Sequence, residues 1–232
     1  AVCRPVDTGH DRDTVVPQPV QEDADTDEEP DDVGVAGADL REEQDLQATG
    51  DADVDGFLVG VGVLLHRLRN HRVPIVAGVN GPAHGGGLEV ALSCDVRIGS
   101  EHTSFGAAGV NVGLVANFRS LATAIGDARA RHLLMTGWSC RGRQALDWGL
   151  VTELVEPDAV ASRAIEIAAR IATRAPLSVE ATKACLNRSP DLSEREATEL
   201  QATEWARLFR TADHAEALTA FFEKRPGRFE RR

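Results

Sequence analysis

The sequence predicts an α/β fold whose second half is mostly helical. Three observations carry that expectation. A short, continuously apolar run, IVAGV (75–79), is bounded by Arg72-Val73-Pro74 and Asn80-Gly81-Pro82, as a buried strand would be. Three glycines (85–87) follow it and lead into the apolar LEVALSC (88–94), a strand–turn–helix order. From residue 158 onward, amphipathic segments succeed one another with only short breaks.

Taken in order, the first 32 residues contain four prolines and no apolar periodicity. Residues 1–35 hold eleven Asp and Glu against two Arg, which accounts for most of the net charge of −12. Such a segment buries too little surface to offset chain entropy, so 1–32 is expected to be an acidic, disordered or atypical N-terminal segment. The remaining residues carry 26 acids and 23 bases and are nearly neutral, with no basic stripe, so nucleic acid is not an expected partner.

VGVAGADLRE (33–42) is a short apolar run ending in a Gly-Ala-Asp turn. Phe57, Val61, Leu64, Leu65 and Leu68 then share one helical face, with Asp53 or Asp55 as candidate caps. DVRIGS (95–100) follows the glycine-led helix as a second strand. ARARHLLM (128–135) and RGRQALDW (141–148) read as helices stopped by Gly137 and Gly149, where a left-handed residue is expected. Leu150 to Val155 is a short strand ended by Pro157. Helices are expected within 158–174, 177–188, 193–210 and 213–224. The domain reading is a core over 33–157 and a helical region over 158–232.

Cysteines at 3, 94, 140 and 185 are too far apart in sequence for a zinc knuckle or redox pair. Buried thiols fit a cytoplasmic location. The longest apolar stretch, FLVGVGVLL (57–65), is far short of the ~20 residues a membrane helix needs, and no basic-then-apolar leader is read. No membrane and no metal are therefore expected.

The glycine turn GPAHGGGLEVALSCD (81–95) admits three readings. Glycines permit a tight strand-to-helix turn, with Glu89 merely a first-turn acid favoured by the helix dipole. A dinucleotide fingerprint fails, because Val90 stands where its third small residue belongs. The third reading is an oxyanion hole. Unpaired N–H groups at the helix start would polarise a ligand carbonyl, and a carboxylate one turn on would move a proton beside it.

The flanking residues bear on that choice. IVAGVNGPAHGGGLEVALSCDVRIGSEHTSFG resembles the enoyl-CoA hydratase/isomerase (crotonase) family. The likeness takes in AGADL (36–40), MTGWSCRGRQALDWGLVTELVEP (135–157) and AFFEKRPGRF (220–229). The resemblance implies a spiral of β-β-α units with a helical C-terminal region, its N-terminal strands incomplete here. It implies an acyl-CoA thioester substrate, no further cofactor, and a homotrimer or dimer of trimers built by the 158–224 helices.

By that likeness, the thioester oxygen would sit between the backbone N–H groups of Ala38 and Gly86. Losing one such donor typically costs about 3 kcal/mol of transition-state stabilisation. Glu89 matches one of two glutamates that hold and activate water in family hydratases. Ala36, Asp39, Leu40 and Arg41 fall along the CoA channel, and Lys224 matches a lysine that reaches CoA. For Arg41 and Lys224, simple solvation is the competing reading.

At the place of the second family glutamate stands Gly109, in SFGAAGVNVGL (104–114). Hydration needs water attack at one carbon and proton delivery at its neighbour, so the missing acid matters. Asn111 can orient water without exchanging a proton. His84 titrates in the right range for a substitute acid or base, though a turn histidine is more often structural. VANFRSLATAIG (115–126) replaces the family's Gly-Gly-Thr and implies a differently shaped acyl pocket. The leading expectation is an enoyl-CoA hydratase of fatty-acid metabolism. The alternatives are a CoA-thioester hydrolase or ring-opening enzyme, and a non-catalytic CoA-binding or assembly protein.

Overall fold

A computed structural model describes residues 51–232, together with the backbone of two strands near the N-terminus. Those strands, β1 (Val2–Val6) and β2 (Thr14–Gln18), pair antiparallel with Val2 opposite Gln18. Both stretches fall within 1–32, the segment expected to be acidic and disordered or atypical. Val2, Val6, Val15 and Val16 give each run strand-forming residues, whereas the acids that dominated the composition crowd into 22–32. The Gly-Ala-Asp turn, with Ala36, Ala38, Asp39, Leu40 and Arg41, lies outside the described residues.

Helix α1 (Asp51–Arg69) precedes β3 (Val76–Val79), β4 (Pro82–His84), α2 (Gly86–Ser93), β5 (Val96–Gly99) and β6 (Ser104–Gly106). A 3₁₀ turn (Ala108–Val112) leads to α3 (Phe118–Ile125), α4 (Asp127–Thr136), β7 (Ser139–Arg141), α5 (Gly142–Trp148) and β8 (Glu153–Leu154). Helices α6 (Val160–Ala172), α7 (Pro176–Arg188), α8 (Glu194–Leu208) and α9 (Ala212–Glu223) complete the chain.

Two small sheets organise the core. In one, β5 lies between β3 and β8 and runs parallel to both. In the other, β6 pairs parallel with β4 and antiparallel with β7. The two-residue period around β3 divides the apolar residues between two faces. Ile75, Ala77 and Val79 join Leu88, Phe105, Leu121, Leu133 and Leu150 in the main core. Val76 turns the other way, with Ile98, to meet Ala164 and Ala168 of α6. That helix comes so close that a Cβ on Gly78 would lie 3.1 Å from a Val160 methyl.

A part-buried ion pair ties the helical region to this core. Lys183 of α7 is only 5% exposed, and its Nζ lies 2.7 Å from Asp95 Oδ2. The same carboxylate oxygen accepts the backbone N–H of Ile75 at 2.7 Å, so Asp95 anchors the entry to β3.

Several expectations shift in detail. Asp53 and Asp55 lie inside α1 and do not precede it, and Leu64 is turned outward, 52% exposed. Phe57, Val61, Leu65 and Leu68 keep to the half-buried face. The strand expected over 150–155 is only Glu153–Leu154, because Leu150 and Val151 donate back to Ala145 in the turn after α5. Gly137 and Gly149 do end α4 and α5, with φ of 67° and 85°.

Candidate active site

Strand β4 leads through Gly85 into α2, and Gly85 adopts φ 50°, ψ −119°. L-residues with a Cβ rarely hold that backbone, so a glycine is required at the corner. The Gly85 N–H donates to the Gly106 carbonyl at 3.0 Å, which fixes the corner to β6. Gly86 and Gly87 then occupy the first two helical positions, whose N–H groups have no carbonyl one turn back to bond. Gly86 therefore stands where a backbone donor has no helical acceptor.

Glu89 stands in the first turn of α2, and its N–H donates to Gly85 at 3.2 Å. Its side chain is half-buried, and burial pushes the carboxyl above its ordinary pKa. The backbone N–H of Asn117, directed at the carboxylate, opposes that shift. Asn117 is also the cap of α3, its Oδ1 accepting from Ser120 N at 3.0 Å. The helix start that follows Asn117 and the first-turn acid of α2 thus meet at one place.

Gly109, the position of the missing second acid, has no space for a side chain. A Cβ there would lie 2.8 Å from both the Leu114 carbonyl oxygen and the Ala116 amide nitrogen. These are backbone atoms, so the loop itself would have to move. Asn111 is engaged elsewhere: it is exposed, and its Nδ2 donates to the Gly137 carbonyl at 3.2 Å, joining the 3₁₀ turn to the end of α4.

His84 belongs to a different cluster. Its Nε2 lies 2.9 Å from Ser104 Oγ and 3.4 Å from Ser139 Oγ, across β4, β6 and β7. The ring fills the space beside Gly106, where a Cβ would come within 2.9 Å of it. Burial, and secondarily the charge of Arg141, lower its pKa and favour the neutral ring. These contacts make His84 a spacer between strands. Lys224 caps α9 in the left-handed region, with φ 54°, and is exposed. Among the described residues no hydrogen bond or ion pair links Lys224 to Glu89.

Among the described residues, Gly86 and Glu89 therefore share the first turn of α2, whereas His84 bonds Ser104 and Ser139, Asn111 bonds the Gly137 carbonyl and Lys224 caps α9. Asn117 was missed from the sequence, where VANFRSLATAIG showed only the loss of a glycine-rich pattern. Its Asn followed three residues on by Ser was the available cap signal. No group of three or more His, Cys, Asp and Glu in position to hold a metal occurs among the described residues. No helix among them is long and apolar enough to cross a membrane.

A glycine corner opening a helix, with a half-buried glutamate one turn in, beside one parallel and one mixed three-stranded sheet, fits a crotonase-type fold. The chain belongs to the enoyl-CoA hydratase/isomerase family, whose model matches residues 30–232. It is 34% identical over 196 residues to a short-chain-enoyl-CoA hydratase of Clostridium acetobutylicum, covering 82% of this chain and 73% of the relative. It is 40% identical over 159 residues to an (E)-benzylidenesuccinyl-CoA hydratase of Thauera aromatica, covering 67% of this chain and 62% of that one. The fold superposes on a crystal structure of a putative enoyl-CoA hydratase from Streptomyces coelicolor with a TM-score of 0.81 and 31% identity, over 85% of this chain and 74% of that one.

Proposed function

We propose that the protein is an enoyl-CoA hydratase, adding water to the double bond of a 2-enoyl-CoA thioester. The single observation that carries this is Glu89, half-buried beside a helix start that offers the Gly86 N–H. Gly86 would polarise the thioester oxygen, with Ala38 as the second donor of an oxyanion hole. Polarisation lets negative charge develop on that oxygen as water attacks the β-carbon. Glu89, ionised, takes the proton of the attacking water and returns one to the α-carbon. Its raised pKa makes the ionised carboxylate a stronger base toward the attacking water. Ala36, Asp39, Leu40 and Arg41 would line the CoA path, Lys224 would meet CoA, and CoA would be the only group bound besides water.

In this reading the enzyme serves fatty-acid metabolism in the cytoplasm. It assembles as a homotrimer or a dimer of trimers through α8 and α9. Trp205, Phe209, Phe221 and Phe222 of that region are 55–77% exposed, which supports burial of this face between subunits.

One observation favours a second reading. The closed backbone at Gly109 leaves Glu89 as the single acid of the pair. Thioester hydrolysis would use the same oxygen-binding donors with one carboxylate to activate water. An assay of purified protein with a 2-enoyl-CoA separates the two: hydration removes the conjugated absorbance, whereas hydrolysis releases a free thiol. Neither signal from folded, CoA-binding protein would point to a binding or assembly role.

A further inference from the structure

One cavity of about 560 Å³ takes no lining residue from α2, the helix that carries Glu89. Its volume is that of a small-molecule site. Three parts of the chain wall it: residues 72–74 before β3, the junction of α6 and α7 within 171–180, and residues 227–231 near the C-terminus. Each part is held in place. Lys183 Nζ donates to the Val73 carbonyl at 3.2 Å. Pro176 begins α7, where its fixed φ suits the first helical position. Buried Asp213 of α9 accepts the backbone N–H groups of Glu230 and Arg231 at 2.8 and 3.1 Å, and Glu216 accepts that of Arg228 at 2.8 Å. A Cβ on Gly227 would collide with the Phe229 ring, so the glycine lets that ring fold back onto the chain.

The walls combine two kinds of chemistry. Val73, Pro74, Ile171, Pro176, Val179 and Phe229 supply apolar surface. Among the charged residues, Glu180 is shared by two guanidiniums. Arg231 holds it through two bonds, at 3.0 and 2.9 Å, and Arg72 through one, at 2.9 Å. Glu230 pairs with Arg232. Arg174 differs: its side chain makes no hydrogen bond or ion pair with any described residue. An exposed arginine just past a helix end is ordinary by itself, because the helix dipole favours a cation there. Here that arginine also borders an apolar cavity.

We propose that this cavity is a second ligand site, for a medium-chain aliphatic monocarboxylate, with the carboxylate on Arg174 and the chain on the apolar walls. The proposal does not depend on the reading of Glu89. A guanidinium fork matches the two oxygens of a carboxylate, as Arg231 and Glu180 show in the same cavity. Two carboxylates, Glu180 and Glu230, already line the space, and like-charge repulsion disfavours a dianionic head such as a phosphate. The apolar walls call for a chain, since each buried methylene tightens binding by about fourfold.

The test is calorimetry of octanoate, acetate, 1-octanol and octyl phosphate, all below micellar concentration, with wild type, Arg174→Gln and Ala172→Trp. Ala172 lines the cavity, and both positions are exposed, so neither change disturbs the core; Tm is recorded for each protein. Expected is octanoate binding to wild type at least about tenfold tighter than acetate or 1-octanol. It should weaken about tenfold in Arg174→Gln, vanish in Ala172→Trp, and persist in saturating butyryl-CoA. Absence of octanoate binding overturns the proposal, as does an affinity unchanged in Arg174→Gln or matched by acetate or 1-octanol. Displacement of octanoate by butyryl-CoA assigns the ligand to the thioester site and also overturns it. Octyl phosphate bound more tightly than octanoate overturns the choice of a monocarboxylate.

Discussion

The amide of Leu114 donates to the carbonyl of Gly109 at 2.7 Å, and this bond closes the turn that leaves Gly109 without room for a side chain. The missing second glutamate is thus a property of the backbone as well as of the sequence. Gly109→Glu is expected to cost about 1–3 kcal/mol through overpacking against Leu114 and Ala116, and not to raise hydration above wild type. Denaturant unfolding measures the first effect, and loss of enoyl absorbance measures the second.

Glu89 carries a burial cost that should be visible in stability. Its pKa is raised by burial, so the folded state holds a proton that the unfolded state releases more readily. As pH rises above the ordinary carboxylate range, the native protein is destabilised until Glu89 ionises in the fold as well, and the penalty then stays constant. Glu89→Gln is therefore expected to have a Tm equal to or above wild type at pH 7–8, with the difference shrinking below the ordinary carboxylate pKa. A Tm series against pH on both proteins checks this.

Lys183 and Asp95 form a different case, a buried cation paired with a partly exposed carboxylate. Lys183→Met leaves a solvent-accessible Asp95 without its cation and is expected to cost about 1 kcal/mol. Asp95 still accepts the Ile75 N–H, so restoring neutrality with Asp95→Asn in the same chain should recover part of that loss. A double-mutant cycle by denaturant unfolding reads the coupling.

These relationships differ in how far the sequence discloses them. Gly137 and Gly149 announce their helix ends because a left-handed residue is local chemistry, fixed within a turn. The apolar run at 75–79 announces a strand, and its alternation decides which residues face α6. Strands β4, β6 and β7 are three residues each, too short for a two-residue period to show. The Lys183–Asp95 pair spans 88 positions and has no spacing signature. Glu89 was legible as a candidate from the glycine turn, whereas the arrival of the Asn117 N–H beside it depends on α3 packing on α2.

Asn117 joins two roles that substitution can separate. Asn117→Ala removes the side-chain cap of α3 and is expected to cost about 1 kcal/mol of stability. Asn117→Asp keeps a cap but places a second carboxylate beside Glu89, which should push the Glu89 pKa higher. The acid limb of the pH–rate profile is then expected to move to higher pH in Asn117→Asp and to stay close to wild type in Asn117→Ala. Steady-state rates across pH on the three proteins resolve the two effects.

The most direct test of the account compares wild type with Glu89→Gln for hydration of a 2-enoyl-CoA, with saturated acyl-CoA binding measured in parallel. Turnover is expected in wild type, with a fall of at least about a hundredfold in kcat for Glu89→Gln and thioester binding retained in both. Turnover in Glu89→Gln at the wild-type rate would contradict it, because the proton would then be moved by some other group.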